Sequence, residues 1–155
     1  MARRIKFIFV GKVKQEFWKK AENFYLQRIR NFFKVELIVA KDSKKGGIEE
    51  RVNFESREIL KKVLPSDFLI LLDERGKSLT SVDFAKKLTM WTELPNKIPC
   101  FVVGGPYGLS CDIKKKSDFL LSLGPLTFTH EMARIILLEQ IYRAYQILIN
   151  SSYHH

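Results

Sequence analysis

Short apolar runs alternate along this chain with segments of helical spacing. Ile5-Lys6-Phe7-Ile8-Phe9-Val10 is β-branched and aromatic and predicts a strand, closed by Gly11. Phe17, Ala21, Phe24, Ile29 and Phe32, with Trp18, Tyr25 and Phe33 beside them, recur at helical spacing. Their placement on one face predicts a helix that turns its aromatics into a core, rather than a base-stacking platform. Val35-Glu36-Leu37-Ile38-Val39-Ala40 predicts a second strand, and residues 48–64 an exposed helix with Val52, Ile59, Leu60 and Val63 among charges, stopped by Pro65. Asp67-Phe68-Leu69-Ile70-Leu71-Leu72-Asp73 is nearly continuous in apolar character, as suits a strand covered on both faces, and Glu74-Arg75-Gly76-Lys77 follows as a turn. Thr80 or Ser81 caps a helix to about Glu93 whose buried stripe is Phe84, Leu88 and Trp91. Cys100-Phe101-Val102-Val103 predicts a fourth strand, residues 112–116 a short helix, and residues 119–123 a fifth strand.

Strict alternation of strand and helix predicts one α/β domain over residues 1–155, with a mainly parallel sheet flanked by helices on both faces. Ligands of such sheets sit beyond the carboxyl ends of strands, which singles out the loops after Leu72, Val103 and Leu123. The last helix, capped by Thr127 or Thr129 and running to about Asn150, is apolar around most of its circumference. A helix of that kind is buried nearly all round. The sheet covers one side; a second copy across a two-fold axis, or other helices of the same chain, must cover the rest. Arg134, Glu139, Gln140, Arg143 and Gln146 interrupt it. Glu139 with Arg143 or Arg134 reads as a structural ion pair, or one arginine is aimed at phosphate or substrate.

Charge adds a partner to this picture. The formal net charge is +10, which favours a polyanion such as nucleic acid, because lysine and arginine on phosphates release counterions. The glycine-rich basic loop of residues 41–47 is either a solvated connection or a flap that touches phosphate. No apolar run approaches the roughly 20 residues that span a bilayer, and the first apolar run is too short and too charged for a leader, so a cytoplasmic protein is expected. Cys100 and Cys111 show neither CxxC spacing nor a nearby histidine pair, and no metal site is expected.

The loops carry the chemistry. Gly104-Gly105-Pro106-Tyr107-Gly108 permits positive φ and close backbone approach to a ligand, but it is neither GxGxxG after the first strand nor GxxxxGK[ST], so dinucleotide and P-loop sites are not supported. With the apolar loop of residues 123–128 it forms a pocket suited to an adenine-like ring. GGPYGLS, then LSLGPLTFTHEMARIILLEQIYRAY, then NSSYHH resemble the RlmH family of SPOUT-class rRNA methyltransferases, and the likeness spans the chain, LLDERGK included.

That resemblance implies an α/β fold with a C-terminal trefoil knot, a homodimer, and methylation of N3 of a pseudouridine in large-subunit (23S) rRNA on the assembled ribosome. The methyl donor would be S-adenosyl-L-methionine. Cofactor contacts carry over to Leu72, Gly104, Leu123, Gly124, Pro125, Leu126, Thr127 and Phe128. Substrate handling carries over to His130, Arg143, Tyr153 and His154, with the general base left open between the histidines and Tyr153 able to stack on a base. Members tend to end with a basic residue after Tyr-His, often Arg or Lys; here it is His155, a group less reliably charged at pH 7. A basic RNA-binding module without chemistry is the alternative.

Overall fold

The computed structural model describes residues 3–155; Met1 and Ala2, which begin the segment judged above too charged for a leader, lie outside the described residues. Five strands, β1 (Arg4–Val10), β2 (Lys34–Ala40), β3 (Asp67–Ser78), β4 (Ile98–Val103) and β5 (Phe119–Ser122), form one sheet in the order β2-β1-β4-β3-β5. All four pairings are parallel, with Arg4 opposite Lys34 and Val10 opposite Ala40 at the two ends of β1. Five helices connect them: α1 (Glu16–Arg30), α2 (Ile48–Leu60), α3 (Ser81–Thr92), α4 (Cys111–Lys116) and α5 (His130–Leu148). A short 3-10 turn, Ser152–His154, ends the chain.

Both sheet faces are covered, as near-continuous apolar strands require. Ile5, Phe7 and Phe9 of β1 pack with Phe101 against α1, α3 and α5 through Leu26, Ile29, Phe84, Leu88, Trp91, Leu137, Leu138 and Ile141. Ile8 and Val10 alternate to the other face, where Ile59 of α2 and Ile113 of α4 meet Leu69, Leu71 and Val102. Lys6 points to that second face inside an apolar strand. Its Nζ donates to Asp67 Oδ2 and to the Lys62 carbonyl, both at 2.7 Å, so the buried ammonium is paired and anchored.

Three expectations are corrected. Residues 74–77 are no simple turn: β3 continues to Ser78, and both Leu72 and Lys77 pair with Leu121 of β5, so the residues between them bulge out of the ladder. Gly76 is what allows it, since a Cβ there would stand 2.6 Å from the Leu120 carbonyl group. The aromatics of α1 do not all face inward either. Phe17 is 61% exposed and Phe24 47%, the latter under the Arg28 guanidinium at 3.4 Å. The inward face belongs to Leu26 and Ile29, followed by Phe32 and Phe33, which stack on Tyr145 of α5. Helix α2 also stops at Leu60, a turn before Pro65.

Helix α5 lies against the sheet with α1 and α3 packed on it, so helices of the same chain cover much of its apolar circumference. Met132, Leu148 and Ile149 remain exposed along it. No helix is long and apolar enough to cross a membrane, and no three His, Cys, Asp or Glu side chains converge among the described residues.

Candidate active site

The carboxyl ends of β3, β4 and β5 open into one cleft of about 710 Å³. That volume lies within the roughly 300–1,000 Å³ usual for small-molecule sites. Leu72, Gly104, Leu123, Gly124, Leu126, Thr127 and Phe128 line it, so the three loops singled out in the sequence meet in space. Pro125 sits in the same loop, exposed, between Gly124 and Leu126. Helix α3 leaves β3 on one face of the sheet and α4 leaves the neighbouring β4 on the other, so the cleft lies at a switch point; no residue of β1 or β2 lines it.

Backbone geometry shapes the walls. Gly124 has φ +126° and Gly108 φ +83°, conformations that glycine adopts without strain, and a Cβ at either would meet no atom within 4 Å. Ser122 Oγ fixes the turn at Gly124, accepting from its N–H at 3.1 Å and donating to its carbonyl at 3.0 Å. Across the cleft, Gly104 packs on Leu109, whose Cδ2 would lie 2.9 Å from a Cβ. Two loops with bare backbone and apolar side chains between them suit a flat heteroaromatic ring.

The bulge clamps both walls. Asp73 Oδ2 pairs with Lys114 Nζ of α4 at 2.6 Å, and Thr127 Oγ1 donates to Glu74 Oε2 at 3.1 Å. Burial pushes the Asp73 carboxyl up, but the hydrogen bonds from Lys114 and the Arg75 N–H outweigh it and hold it below the usual carboxylate range. Sequence reasoning missed Glu74 because residues 74–77 read as a turn, and Asp73 and Lys114 because each read only as part of a strand or a short helix.

His130 stands at the cleft's rim as the first residue of α5, placed there by Thr129, whose Oγ1 accepts the Met132 N–H at 3.3 Å. Burial drives its pKa below the ordinary value, with the Arg134 cation acting the same way and Glu131 and Asp42 opposing. Burial thus favours the neutral imidazole, the form able to accept a proton, while Glu131 Oε1 stands 3.3 Å from its Nε2. One turn along, Arg134 is buried and donates from Nη2 to the carbonyls of Val10 and Gly11, tying α5 to the end of β1. Of the two readings of the arginines, the ion pair with Glu139 belongs to Arg143: its Nη2 and Nε lie 2.6 and 2.9 Å from Glu139 Oε1.

Arg143, Tyr153 and His154 are gathered elsewhere. The tail folds back onto α5, with the Tyr153 ring 4.8 Å from that of Tyr142 and the Arg143 guanidinium 4.9 Å over it. Tyr153 Oη donates to Glu139 Oε1 at 3.3 Å, and burial followed by the Glu139 charge raises its pKa. His154 Nδ1 is buried without a hydrogen-bond partner among the described residues. Thus His130 shares the cleft with the loops, and the other three substrate-handling candidates form a second cluster outside it.

A sequence model of a family described as "Predicted SPOUT methyltransferase" matches residues 3–154. The chain belongs to the SPOUT methyltransferase family. This SPOUT protein is 43% identical over 153 residues to the ribosomal RNA large subunit methyltransferase H of Maridesulfovibrio salexigens, covering 98% of each chain. The protein of the same name from Thermotoga neapolitana is 38% identical over 152 residues, covering 98% of this chain and 99% of its own. Among solved structures, a probable methylase family protein from Haemophilus influenzae aligns with TM-score 0.57 at 13% identity, over 97% of this chain and 68% of that one, a likeness of fold. As a SPOUT methyltransferase, the chain uses its parallel sheet to present the strand-end loops around the cleft.

Proposed function

We propose that this methyltransferase transfers a methyl group from S-adenosyl-L-methionine to N3 of a pseudouridine in large-subunit rRNA, in the cytoplasm, on the assembled ribosome and as a homodimer. The observation that carries the reading is the cleft itself: three backbone-rich strand-end loops with a neutral histidine at their rim, in a family member whose relatives bear the name ribosomal RNA large subunit methyltransferase H. The donor's residues fit. Leu72, Leu123, Leu126 and Phe128 offer apolar contact to an adenine ring, and Gly104, Gly124 and Thr127 offer backbone or hydroxyl groups to its polar edge.

Bound there, S-adenosyl-L-methionine supplies an electrophilic methyl group on a sulfonium and departs as the neutral thioether. The chain's task is then placement and one proton. The cleft holds the imide nitrogen in line with the methyl, and proximity of this kind supplies most of the rate. His130, neutral and at the rim, takes the N3 proton as the N3–carbon bond forms. Tyr153 stacks on the target base, and Arg143 and His154 engage its phosphates.

These last groups reach the reaction from a second copy. Arg143 follows His130 by 13 positions on α5, about 20 Å along the axis, too far for one chain to bring both to one nucleotide. Met132 near the cleft end, and Leu148, Ile149 and Tyr153 at the other end, leave apolar surface exposed at both ends of α5 that a second copy would cover in part. A C-terminal knot belongs to the same reading. The net charge of +10 suits a ribosomal surface.

Incubation of the protein and radiolabelled S-adenosyl-L-methionine with ribosomes lacking the modification tests the proposal. Stoichiometric label in large-subunit rRNA is expected, mapping to one pseudouridine. RNA binding with no label transferred would leave only the basic RNA-binding module.

A further inference from the structure

Helix α2 turns two polar residues into the fold where its spacing calls for apolar ones. Glu55 and Ser56 are each 2% exposed, on the same stripe as Val52 and Ile59. Ser56 Oγ accepts the Ser110 N–H at 3.0 Å, seating the far end of the Gly104–Ser110 loop. Glu55 seats the near end. A Cβ built on Gly105 would lie 2.6 Å from Glu55 Oε1 and 3.1 Å from its Cδ and Oε2, so the carboxylate occupies the space where any other residue would carry its side chain. Glu55 Oε2 also accepts the Ser43 N–H at 3.1 Å. One side chain therefore touches both the wall of the cleft and the basic loop of residues 41–47.

This arrangement is costly to the fold. Glu55 Oε1 is buried with no hydrogen-bond partner among the described residues. Burial raises the carboxyl's pKa, the Ser43 N–H lowers it, Asp42 raises it and Arg51 lowers it. A buried, half-satisfied carboxylate destabilises a fold, and an apolar residue of similar size would fill the stripe better. Its retention calls for a task that the core does not set.

We propose that Glu55 is a positioning residue of the methyl-donor site: its carboxylate is the wedge that sets Gly105, and with it the Gly104–Gly108 turn, against the cleft, while tying that turn to the 41–47 loop. The inference rests on reading the cleft as the donor site. A Cβ at Gly105 would displace the Glu55 carboxylate from its place against the turn. Through the Ser43 N–H, the same carboxylate anchors the 41–47 loop, which carries Lys41, Lys44 and Lys45, beside the cleft wall.

Calorimetric titration of S-adenosyl-L-methionine into the full chain tests this, with thermal melts to verify folding. Gly105→Ala should weaken binding about ten-fold or more, and Glu55→Ala about five-fold, in line with small displacements of a binding wall. Glu55→Gln, whose amide oxygen still accepts from Ser43, should stay within about two-fold of the wild type. The double variant Glu55→Ala/Gly105→Ala should bind about as Glu55→Ala does, and so about two-fold or more tighter than Gly105→Ala alone, because the clash is gone. In turnover, Glu55→Ala should raise KM for the donor with little change in kcat. Glu55→Ala binding like the wild type, or a double variant no better than Gly105→Ala, overturns the inference. Should Gly105→Ala fail to fold, the contrast between Glu55→Ala and Glu55→Gln decides alone. Absence of saturable binding by the wild type would instead overturn the reading of the cleft.

Discussion

Gly124 offers the sharpest test of the cleft, because its role is conformational and nearly free of packing. Its φ of +126° lies where L side chains go only under strain, and a Cβ added there would touch nothing within 4 Å. Gly124→Ala therefore introduces no clash; it introduces backbone strain of about 1–3 kcal/mol. The loop around it is largely exposed, with Leu126 at 70%, so in the free protein it can relax at little cost and the melting temperature should barely change. Bound donor demands the strained shape. The strain then appears in affinity, at 1.4 kcal/mol per ten-fold, as a loss of about 5- to 150-fold in Kd. Leu126→Ala is the control: it removes apolar contact from the same loop without strain and should cost no more than about 1 kcal/mol. Calorimetry with S-adenosyl-L-methionine reads both variants. Gly124→Ala binding as tightly as the wild type would refute the argument that the turn held by Ser122 is part of the grip.

Three other predictions concern different parts of the chain. Burial and Arg134 depress the His130 pKa, so its charged form is disfavoured in the fold; kcat/KM should fall as pH drops through a midpoint below 6.5, and His130→Asn should remove that limb along with most activity, whereas a midpoint above 6.5 would contradict the assignment. The same sign makes the His130 contribution to stability present above its unfolded pKa and lost as pH falls through the lower folded one. Lys6→Met strands Asp67 in the core and should cost about 3–5 kcal/mol in urea melts, with Lys6→Met/Asp67→Leu recovering most of it; a single-variant loss under about 1 kcal/mol would show the pair to be idle. Deleting residues 153–155 removes partly exposed contacts worth about 1 kcal/mol or less, so donor binding should survive while methyl transfer is lost, and unfolding of the deletion variant would mark the tail as structural.

What the sequence disclosed follows the reach of its periodicities. Strand runs such as Phe68 to Leu72 and the Phe84, Leu88, Trp91 stripe are local patterns, and the fold places them as their spacing demands. The strand-end loops were legible for the same reason, since strand direction alone puts them on one edge. The bulge at residues 73–76 was not, because Asp-Glu-Arg-Gly has turn chemistry and nothing local announces that Leu121 will pair on both sides of it. Phe17 and Phe24 misled because an aromatic at helical spacing is equally compatible with a core and with an exposed apolar surface. The signals that went unread were polar residues inside apolar patterns. Lys6 in a strand and Glu55 with Ser56 on a helix stripe each mark a buried partner that only the tertiary structure supplies.

Helix α5 shows why the active centre cannot be complete in one chain under the proposed reaction. Its first residue, His130, reaches the cleft because Thr129 caps the helix at the carboxyl edge of the sheet. The helix then runs antiparallel to the strands, so Arg143 and the tail are carried toward the opposite edge, where Phe32 stacks on Tyr145 at 3.8 Å. No rotation of side chains closes a gap of about 20 Å. Within the chain, Arg143 and Tyr153 both settle on Glu139, whose carboxylate holds them as a preformed unit at the protein surface. In the proposed homodimer, a second copy packed antiparallel along α5 would set that unit beside the cleft of its partner. Mixing His130→Asn subunits with Arg143→Ala subunits distinguishes the two arrangements. In a shared site, one cleft of each heterodimer unites an intact His130 with an intact Arg143, so activity returns to about a quarter of the wild-type level at equal mixing. Mixtures as inactive as either parent would confine the chemistry to one chain.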